Sequence, residues 1–146
     1  MKKIMVLIFC SMFFQLAHAQ KMPNGVIYDA KILRVSDGDT VVISAPFLPP
    51  PLKPELAVRI YGVDTPEKGF RAKCVEEDIK GKAASEFTKN AVKKTNKHQV
   101  IIYAWDKFGG RVLGDVILDG NSLRTALIVN NLAREYYGDA KKSWCN

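Results

Sequence analysis

Hydrophobic and polar residues alternate along five short segments of the chain, which are separated by stretches containing glycine, proline, aspartate or asparagine. A period of two places successive side chains on opposite faces of a strand, so the pattern predicts five β-strands. In the third strand, Val58 and Ile60 fall on one face. Arg59, Tyr61 and Val63 fall on the other face. The predicted strands span residues 26–35, 40–44, 57–63, 100–105 and 111–118.

One long segment instead shows the period of an amphipathic helix. Apolar residues recur every four positions at Ile79, Ala83, Phe87 and Ala91, and lysines occupy much of the remaining surface. Side chains spaced by four residues lie on one helical face, which predicts a helix over residues 77–95 that buries this face.

Two connecting segments carry signals of their own. Ser122 is a favourable N-cap residue for the short apolar segment LRTALIV, which predicts a second helix after the fifth strand. Five prolines lie between Pro46 and Pro54. Because proline cannot donate a ladder hydrogen bond, this stretch is predicted to be a surface loop between the second and third strands.

The order of these elements suggests an architecture. Five strands in meander order, with one helix between the third and fourth strands and helical segments after the fifth, predict a small closed β-barrel with helices packed on one side. Closure of a barrel removes exposed strand edges. Periodicity alone leaves an open α+β sheet as the alternative.

The first 19 residues have the three parts of a secretory signal peptide. Lys2 and Lys3 form a positive region, residues 4–16 are mostly apolar, and Ala17-His18-Ala19 fits the small-residue cleavage pattern. We therefore expect cleavage near Ala19-Gln20 and a single exported domain over residues 20–146, either secreted or periplasmic, without a membrane association. A buried N-terminal helix or an uncleaved anchor is the alternative interpretation.

The net charge of the chain indicates which kinds of binding partner are favoured. The whole chain has a formal net charge of +7, from 22 basic and 15 acidic residues. Removal of Lys2 and Lys3 leaves 20 basic and 15 acidic residues, a net charge of +5. A basic surface favours polyanions, nucleic acid above all, through contacts with phosphate groups.

Two cysteines remain once Cys10 is removed with the signal peptide. An even pair in an oxidising compartment indicates one disulfide, between Cys74 and Cys145, which would close a loop of about 70 residues. A zinc site is the rival interpretation, but only His98 would remain to join the two cysteines. Free buried thiols are the other alternative.

Groups able to bind metal and phosphate collect where the predicted strands end. Carboxylate and threonine oxygens are hard donors that suit Ca²⁺ or Mg²⁺, and guanidinium groups match the geometry of phosphate. Such a set could support metal-assisted hydrolysis of a phosphodiester, with the arginines meeting the charge that develops on phosphorus. The residues are Asp37, Asp39, Arg59, Asp64, Thr65, Glu67 and Arg111.

Each of these motifs also has a purely structural interpretation. Asp-Gly-Asp-Thr is a good hairpin turn, and Asp-Thr-Pro-Glu is a good Asx-Pro turn. Strict alternation also sends Arg59 and Asp64 to opposite faces of a strand, because they are five positions apart. A bulge or turn at Gly62 would be needed to aim both at one place.

Three motifs in order, VSDGDTVVI, VRIYGVDTPE and WDKFGGRVLGDVILDG, resemble the staphylococcal nuclease (thermonuclease) family. The similarity runs from about Tyr28 to Tyr137. The resemblance implies an α+β, mainly β fold, a five-stranded OB-fold barrel with packed helices. It also implies a monomeric Ca²⁺-dependent nuclease that acts on DNA and RNA with water as the nucleophile and leaves 3′-phosphate ends.

The resemblance also implies roles for individual residues. Asp39 and Asp64 match the calcium carboxylates, and Thr65 matches the residue that offers its backbone carbonyl. Glu67 matches the general base, and Asp37 a neighbouring supporting acid. Arg59 and Arg111 match the phosphate-binding arginines, and Lys107 and Tyr137 match groups that contact terminal phosphate.

The sequence departs from the family pattern in the turn DKFGGR. The turn has one additional glycine before Arg111, and Phe108 stands where the best-known member has a tyrosine. The proline-rich loop from Pro46 to Pro54 is also longer than expected for the family. Two other functional classes stay open, a non-catalytic OB-fold module that binds nucleic acid and an exported structural domain without a nucleic-acid partner.

Overall fold

Within residues 22–146, which the computed structural model describes, a mixed seven-stranded β-sheet and a separate two-stranded sheet pack with two α-helices. The predicted signal peptide lies outside the described residues. The strands are β1 (Val26–Asp29), β2 (Ile32–Asp37), β3 (Thr40–Ser44), β4 (Glu55–Ile60), β5 (Val63–Asp64), β6 (His98–Trp105), β7 (Arg111–Leu118), β8 (Asn121–Ser122) and β9 (Arg134–Glu135). The helices are α1 (Val75–Lys94) and α2 (Leu123–Val129), and a 3₁₀ turn spans Gly69–Arg71.

The two end strands of the main sheet come from one stretch of chain. The strand order is β1-β6-β7-β4-β3-β2, with β8 added to β7. Only Ala30 and Lys31 separate β1 from β2, so the predicted first strand over residues 26–35 is one bent strand in two halves. Ala30 donates its N–H to the carbonyl of His98 at 3.0 Å, and Ser44 donates to Lys31 at 2.9 Å. The expected OB-like, mainly β fold is confirmed.

The predicted meander order is wrong. β4 pairs with β7 in parallel, with Arg59 opposite Leu113, and β6 lies between β7 and β1. A parallel pair requires a long crossover between its strands. Helix α1 belongs to that crossover, because it carries the chain from the end of β5 to the start of β6.

The inward faces of the strands form the apolar core. Val58 and Ile60 point inward and are almost fully buried, as the alternation predicts. Val63 was expected on the face of Arg59, yet it is only 1% exposed. The reason is that β4 ends at Ile60 and the chain turns at Gly62, which has a φ of 75°, so Val63 begins a new strand and no longer follows the alternation of β4.

Helix α1 is found within one or two residues of its predicted bounds, but it buries a different face. Ile79 is 62% exposed and Ala83 is also exposed, while Phe87 and Ala91 are half-buried. The prediction of the buried face is therefore wrong for the first half of the helix. The buried residues there are small or polar because this part of the helix packs against turns. They are Glu77, Gly81, Ala84, Ser85 and Thr88.

Two turns of the sheet are held by this face of α1. A Cβ atom at Gly81 would lie 2.3 Å from the carbonyl oxygen of Glu67, so only glycine allows the helix to approach the Asp-Thr-Pro-Glu turn so closely. Thr88 donates its hydroxyl to the carbonyl of Gly38 at 2.7 Å in the Asp-Gly-Asp-Thr turn. One helix thus fixes both acidic turns relative to each other.

The connecting segments follow the sequence prediction. Ser122 accepts a hydrogen bond from the N–H of Thr125 at 3.1 Å and caps α2. Residues 45–54 contain no strand or helix, as the prolines predict. None of the helices within residues 22–146 has both the length and the apolar character to cross a bilayer.

Candidate active site

The end of β4 and the start of β7 open onto one cavity of about 570 Å³. Five residues that the sequence singled out line it, namely Arg59, Glu67, Lys107, Arg111 and Tyr137. The cavity therefore brings both arginines and the predicted base to one place. The two predicted calcium carboxylates and Thr65 do not line this cavity and are buried beside it.

Arg59 connects the two acidic turns. Its Nη1 lies 2.9 Å from Oδ2 of Asp39, and its Nη2 donates to the carbonyl of Val63 at 3.4 Å. Val63 directly precedes Asp64, so the turn at Gly62 brings Arg59 and the acidic motif together despite their five-residue spacing. The predicted conflict between strand alternation and a shared site is resolved by this turn.

Asp64 is buried in β5, where it pairs with Arg134 of β9. Its Oδ2 accepts a hydrogen bond from Nε1 of Trp144 at 3.2 Å. Its Oδ1 lies 2.5 Å from Nζ of Lys141, an ion-pair contact that is not aligned as a hydrogen bond. Oδ1 is thus a buried carboxylate oxygen that faces a cation and receives no hydrogen bond.

The predicted metal ligands are buried oxygen donors. Asp39, Asp64 and Thr65 are all at most 5% exposed and offer only oxygen donors, which suits a hard cation. Oδ1 of Asp64 faces the ammonium of Lys141, which such a cation would have to displace. Two carboxylates are few for Ca²⁺, so a carbonyl and water molecules would have to complete the coordination. The residues present fit a hard divalent metal on these grounds.

Arg111 is held in place by an aspartate within its own turn. Its Nε lies 2.5 Å from Oδ2 of Asp106, and both side chains are largely buried. The guanidinium also lies over the ring of Phe108, 5.0 Å from its centroid, and Lys107 lies 5.3 Å from the same ring. Because Asp106 uses Nε, the two terminal nitrogens of Arg111 remain for a ligand in the cavity.

Glu67 is oriented through its backbone and its side chain. Its N–H donates to Oε1 of Glu77 at 3.3 Å, and its Oε2 lies 3.2 Å from Nε of Arg71. Arg71 also pairs with Asp37, and Lys68 lies 3.6 Å from the same carboxylate. Asp37 therefore joins an ion-pair network that links the first acidic turn to the segment after the second.

Tyr137 packs beside the turn at Gly62. Its hydroxyl accepts a hydrogen bond from Nη2 of Arg124 at 2.7 Å, and its ring meets Tyr61 edge-on at 5.8 Å. A Cβ at Gly62 would lie 2.8 Å from this ring. The hydroxyl is already engaged by an arginine, so an anion here would meet Arg124 as well as Tyr137.

The disulfide predicted between Cys74 and Cys145 is present in the structure, with a Cα–Cα distance of 6.0 Å. Together with Glu77 the two sulfurs form a cluster of metal-binding residue types. Sulfurs bonded to each other are not thiolate ligands, so the zinc interpretation fails.

Sequence reasoning missed several residues that hold the site together. Asp106 lies within a quoted motif, and its position five residues before Arg111 was a usable signal. Trp144 precedes a cysteine that was predicted to be bridged. Glu77, Arg71 and Lys141 gave no signal, because their partners are distant in sequence or belong to another element.

Most of the described chain matches one known protein family. Residues 57–144 match the model of a family described as "Staphylococcal nuclease homologue" (SNase), which covers more than half of the chain. No curated protein matches this chain. The family consists generally of nucleases that act on nucleic acids and are typically metal-dependent. The matched residues include Arg59, Asp64, Glu67 and Arg111, and the chain belongs to the staphylococcal nuclease homologue family.

Proposed function

We propose that this protein is an exported, Ca²⁺-dependent nuclease that hydrolyses phosphodiester bonds of DNA and RNA. The observation that carries the proposal is the single cavity lined by Arg59, Arg111 and Glu67. Family membership supports nuclease chemistry, and the cavity supports the assignment of that chemistry to these side chains.

The two arginines would bind the scissile phosphate. Arg59 uses one nitrogen for Asp39 and Arg111 uses Nε for Asp106, so each guanidinium is fixed by a buried carboxylate. Fixed donors stabilise the charge that develops on the phosphoryl oxygens without having to reorganise during the reaction. Both terminal nitrogens of Arg111 are available to the phosphate, and Arg59 keeps the N–H groups that do not contact Asp39 or the carbonyl of Val63.

Glu67 would orient or deprotonate the attacking water. It lines the same cavity as the arginines, and its side chain is about one-third exposed, so a water molecule can reach it. Its turn is fixed by the contact of its N–H with Glu77 and by the close packing of α1. A base held in this way does not have to be ordered for each substrate.

Asp39, Asp64 and the carbonyl of Thr65 would hold the calcium ion. When bound, the ion would act as a Lewis acid on a phosphoryl oxygen. Lys107 and Tyr137 line the same cavity and would contact a further phosphate of the substrate.

A digestion assay tests the proposal. Purified protein is incubated with single-stranded DNA and with RNA in Ca²⁺, with and without a chelator, and the products are separated on a gel. We expect degradation that stops on chelation. A shifted but intact band would instead identify a non-catalytic nucleic-acid-binding module. No salt-sensitive binding at all would exclude both functions.

Export is proposed on separate grounds. The predicted signal peptide and the Cys74–Cys145 disulfide both fit an oxidising compartment. Intact-mass analysis of protein recovered outside the cytoplasm should show a chain that begins at Gln20, whereas a full-length chain would contradict cleavage.

A further inference from the structure

Residues 141–145, here called the Trp144 segment, pack against a carboxylate that the proposed function assigns to calcium. Trp144 is 8% exposed although it follows three exposed residues. Its indole N–H donates to Oδ2 of Asp64 at 3.2 Å across 80 positions of sequence. This indole is the group that fixes one oxygen of that carboxylate.

The indole is itself held by several contacts. Cys145 is bonded to Cys74, the N-cap residue of α1, so the residue after Trp144 is tied to the helix that fixes both acidic turns. The guanidinium of Arg134 stacks on the indole at 3.7 Å from its centroid. Lys80 of α1 donates to the carbonyl of Trp144 at 3.4 Å. The donor to Asp64 is therefore pre-positioned.

The other oxygen of Asp64 is left for a cation. Oδ1 receives no hydrogen bond, and the ammonium of Lys141 lies 2.5 Å from it. The side chain of Lys141 is 46% exposed, so it can move into solvent. A metal ion that binds Oδ1 would take the place of this ammonium.

We propose that Trp144 is a positioning residue for the metal site, which holds Oδ2 of Asp64 so that Oδ1 faces the ion, and that the Cys74–Cys145 disulfide maintains this arrangement. The inference rests on the proposed function, in which Asp64 binds Ca²⁺. Hydrogen-bonded partners of ligating carboxylates set their orientation, and their loss typically weakens metal binding by about 10–100-fold. The oxidation state of the disulfide is then coupled to calcium affinity.

Calorimetric titration of Ca²⁺ into the whole protein tests this coupling. Trp144→Phe keeps a ring for Arg134 but removes the N–H, and we expect it to bind Ca²⁺ about 10–100-fold more weakly. The double variant Cys74→Ser/Cys145→Ser should weaken binding in the same direction. Trp105→Phe is the matched control, because Trp105 is 67% exposed and lies outside the cavity, and its affinity should not change.

Lys141→Met tests the role of Oδ1 of Asp64 separately from that of Oδ2. It removes the competing ammonium and leaves the indole contact, so Ca²⁺ should bind about two- to fivefold more tightly, the scale of a half-exposed ion pair. Weaker binding by this variant would overturn the assignment of Oδ1 to the ion.

Terbium luminescence supplies a readout that a merely structural role would not affect. In the Trp105→Phe background, Trp144 is the single tryptophan. With excitation at wavelengths that tryptophan absorbs and tyrosine does not, Tb³⁺ bound at Asp64 should be sensitised by this indole, and Ca²⁺ should abolish the emission by displacement. Tb³⁺ that binds in the titration without sensitised emission would place the metal elsewhere and overturn the inference.

The outcomes separate the two proposals. If the wild type digests DNA with Ca²⁺ while Trp144→Phe, folded by circular dichroism, binds Ca²⁺ as tightly, the inference fails and the proposed function stands. If the wild type neither binds Ca²⁺ nor digests DNA, the proposed function itself fails and the inference with it.

Discussion

Each arginine of the proposed site is paired with a buried aspartate, Arg59 with Asp39 and Arg111 with Asp106. Removal of one partner from a buried ion pair costs about 3–5 kcal/mol, because the other charge is left uncompensated. An alanine variant would therefore mix a loss of catalysis with a loss of stability. Lysine keeps the charge and removes only the planar fork of donors, so it isolates the chemical role.

Arg59→Lys should reduce turnover of DNA by about 10²-fold or more, the scale found when one fixed donor to a developing oxyanion is removed. Its free energy of unfolding should stay within about 1 kcal/mol of the wild type, since Asp39 keeps a positive partner. Steady-state kinetics and urea unfolding measure the two effects. Arg34→Lys is the control, because Arg34 pairs with Glu55 at 2.7 Å on the surface. Turnover within tenfold of the wild type would remove Arg59 from the chemistry.

Glu67→Gln tests the residue assigned to the water. The amide keeps the shape of the side chain but cannot take a proton, so turnover should fall by about 10²–10⁴-fold. Calcium affinity, measured by titration calorimetry, should be nearly unchanged because Glu67 is not among the proposed ligands. Glu86→Gln on the exposed face of α1 serves as the control. Equal losses of turnover and of affinity would assign Glu67 to the metal instead.

At the scale of elements, helix α1 acts as a clamp on the two acidic turns. Its small residues, Gly81 and Ala84, allow the helix to contact the backbone of Glu67 and of Gly38. This contact explains why the buried face of the helix is not its most apolar face. The helix therefore has two roles, since it covers the sheet and also holds the acidic turns of the site.

Gly81→Ala therefore has two opposing effects on stability. Alanine favours the helical state by about 1 kcal/mol relative to glycine. The added Cβ would lie 2.3 Å from the carbonyl oxygen of Glu67, a backbone atom that cannot move cheaply, and overpacking costs about 1–3 kcal/mol. We expect a net loss of stability and of turnover, measured by urea unfolding and DNA digestion. Exposed Lys82→Ala should change stability by about 0.5 kcal/mol or less. A Gly81→Ala variant that is more stable than the wild type would contradict the close contact of α1 with this turn.

Asp115 joins β7 to two other elements of the fold. Its carboxylate accepts hydrogen bonds from Ser122 and from the N–H groups of Val116 and Arg124, which ties β7 to β8 and to the start of α2. Burial raises the pKa of Asp115 above the ordinary value, although these hydrogen bonds and the charge of Arg124 oppose the shift. Ionisation of this carboxyl is therefore less favourable in the folded protein than in the unfolded chain, and it lowers the free energy of unfolding.

The sign of the resulting pH effect follows from proton binding. Between the unfolded pKa of about 3.9 and the raised folded pKa, the folded protein binds more protons than the unfolded chain, so this group's contribution to stability falls as pH rises. Asp115→Asn removes the titrating group, so its stability relative to the wild type should increase with pH across that window. Urea unfolding of both proteins over a series of pH values measures the difference, and parallel curves would contradict the shift.

The strands and turns were predictable because their signals are local. Alternation located β3 and β7, and the Asp-Gly-Asp-Thr and Asp-Thr-Pro-Glu motifs identified the acidic turns. Parallel pairing of β4 with β7 was not predictable, since it depends on the path of α1. The contact of Trp144 with Asp64 was also missed, because no local rule joins residues 80 positions apart.

At the scale of the whole molecule, the disulfide joins the start of α1 to the Trp144 segment. Its cysteines are separated by 71 positions, so it closes a loop that contains α1, β6, β7 and α2. In the chain-entropy model a loop of this length stabilises the folded state by roughly 4 kcal/mol. The crosslink thus acts on the unfolded chain as well as on the site.

Cys74→Ser/Cys145→Ser should lower the free energy of unfolding by about 2–4 kcal/mol, since measured effects often fall below the entropic value. Urea unfolding in the presence of a chelator measures this change without a contribution from metal binding. Trp144→Phe is the comparison, because it removes the contact with Asp64 but keeps the crosslink, and it should lose less stability than the double variant. If the two variants were equally destabilised, the crosslink would act mainly by holding Trp144 in the folded state, and its effect on the unfolded chain would be small.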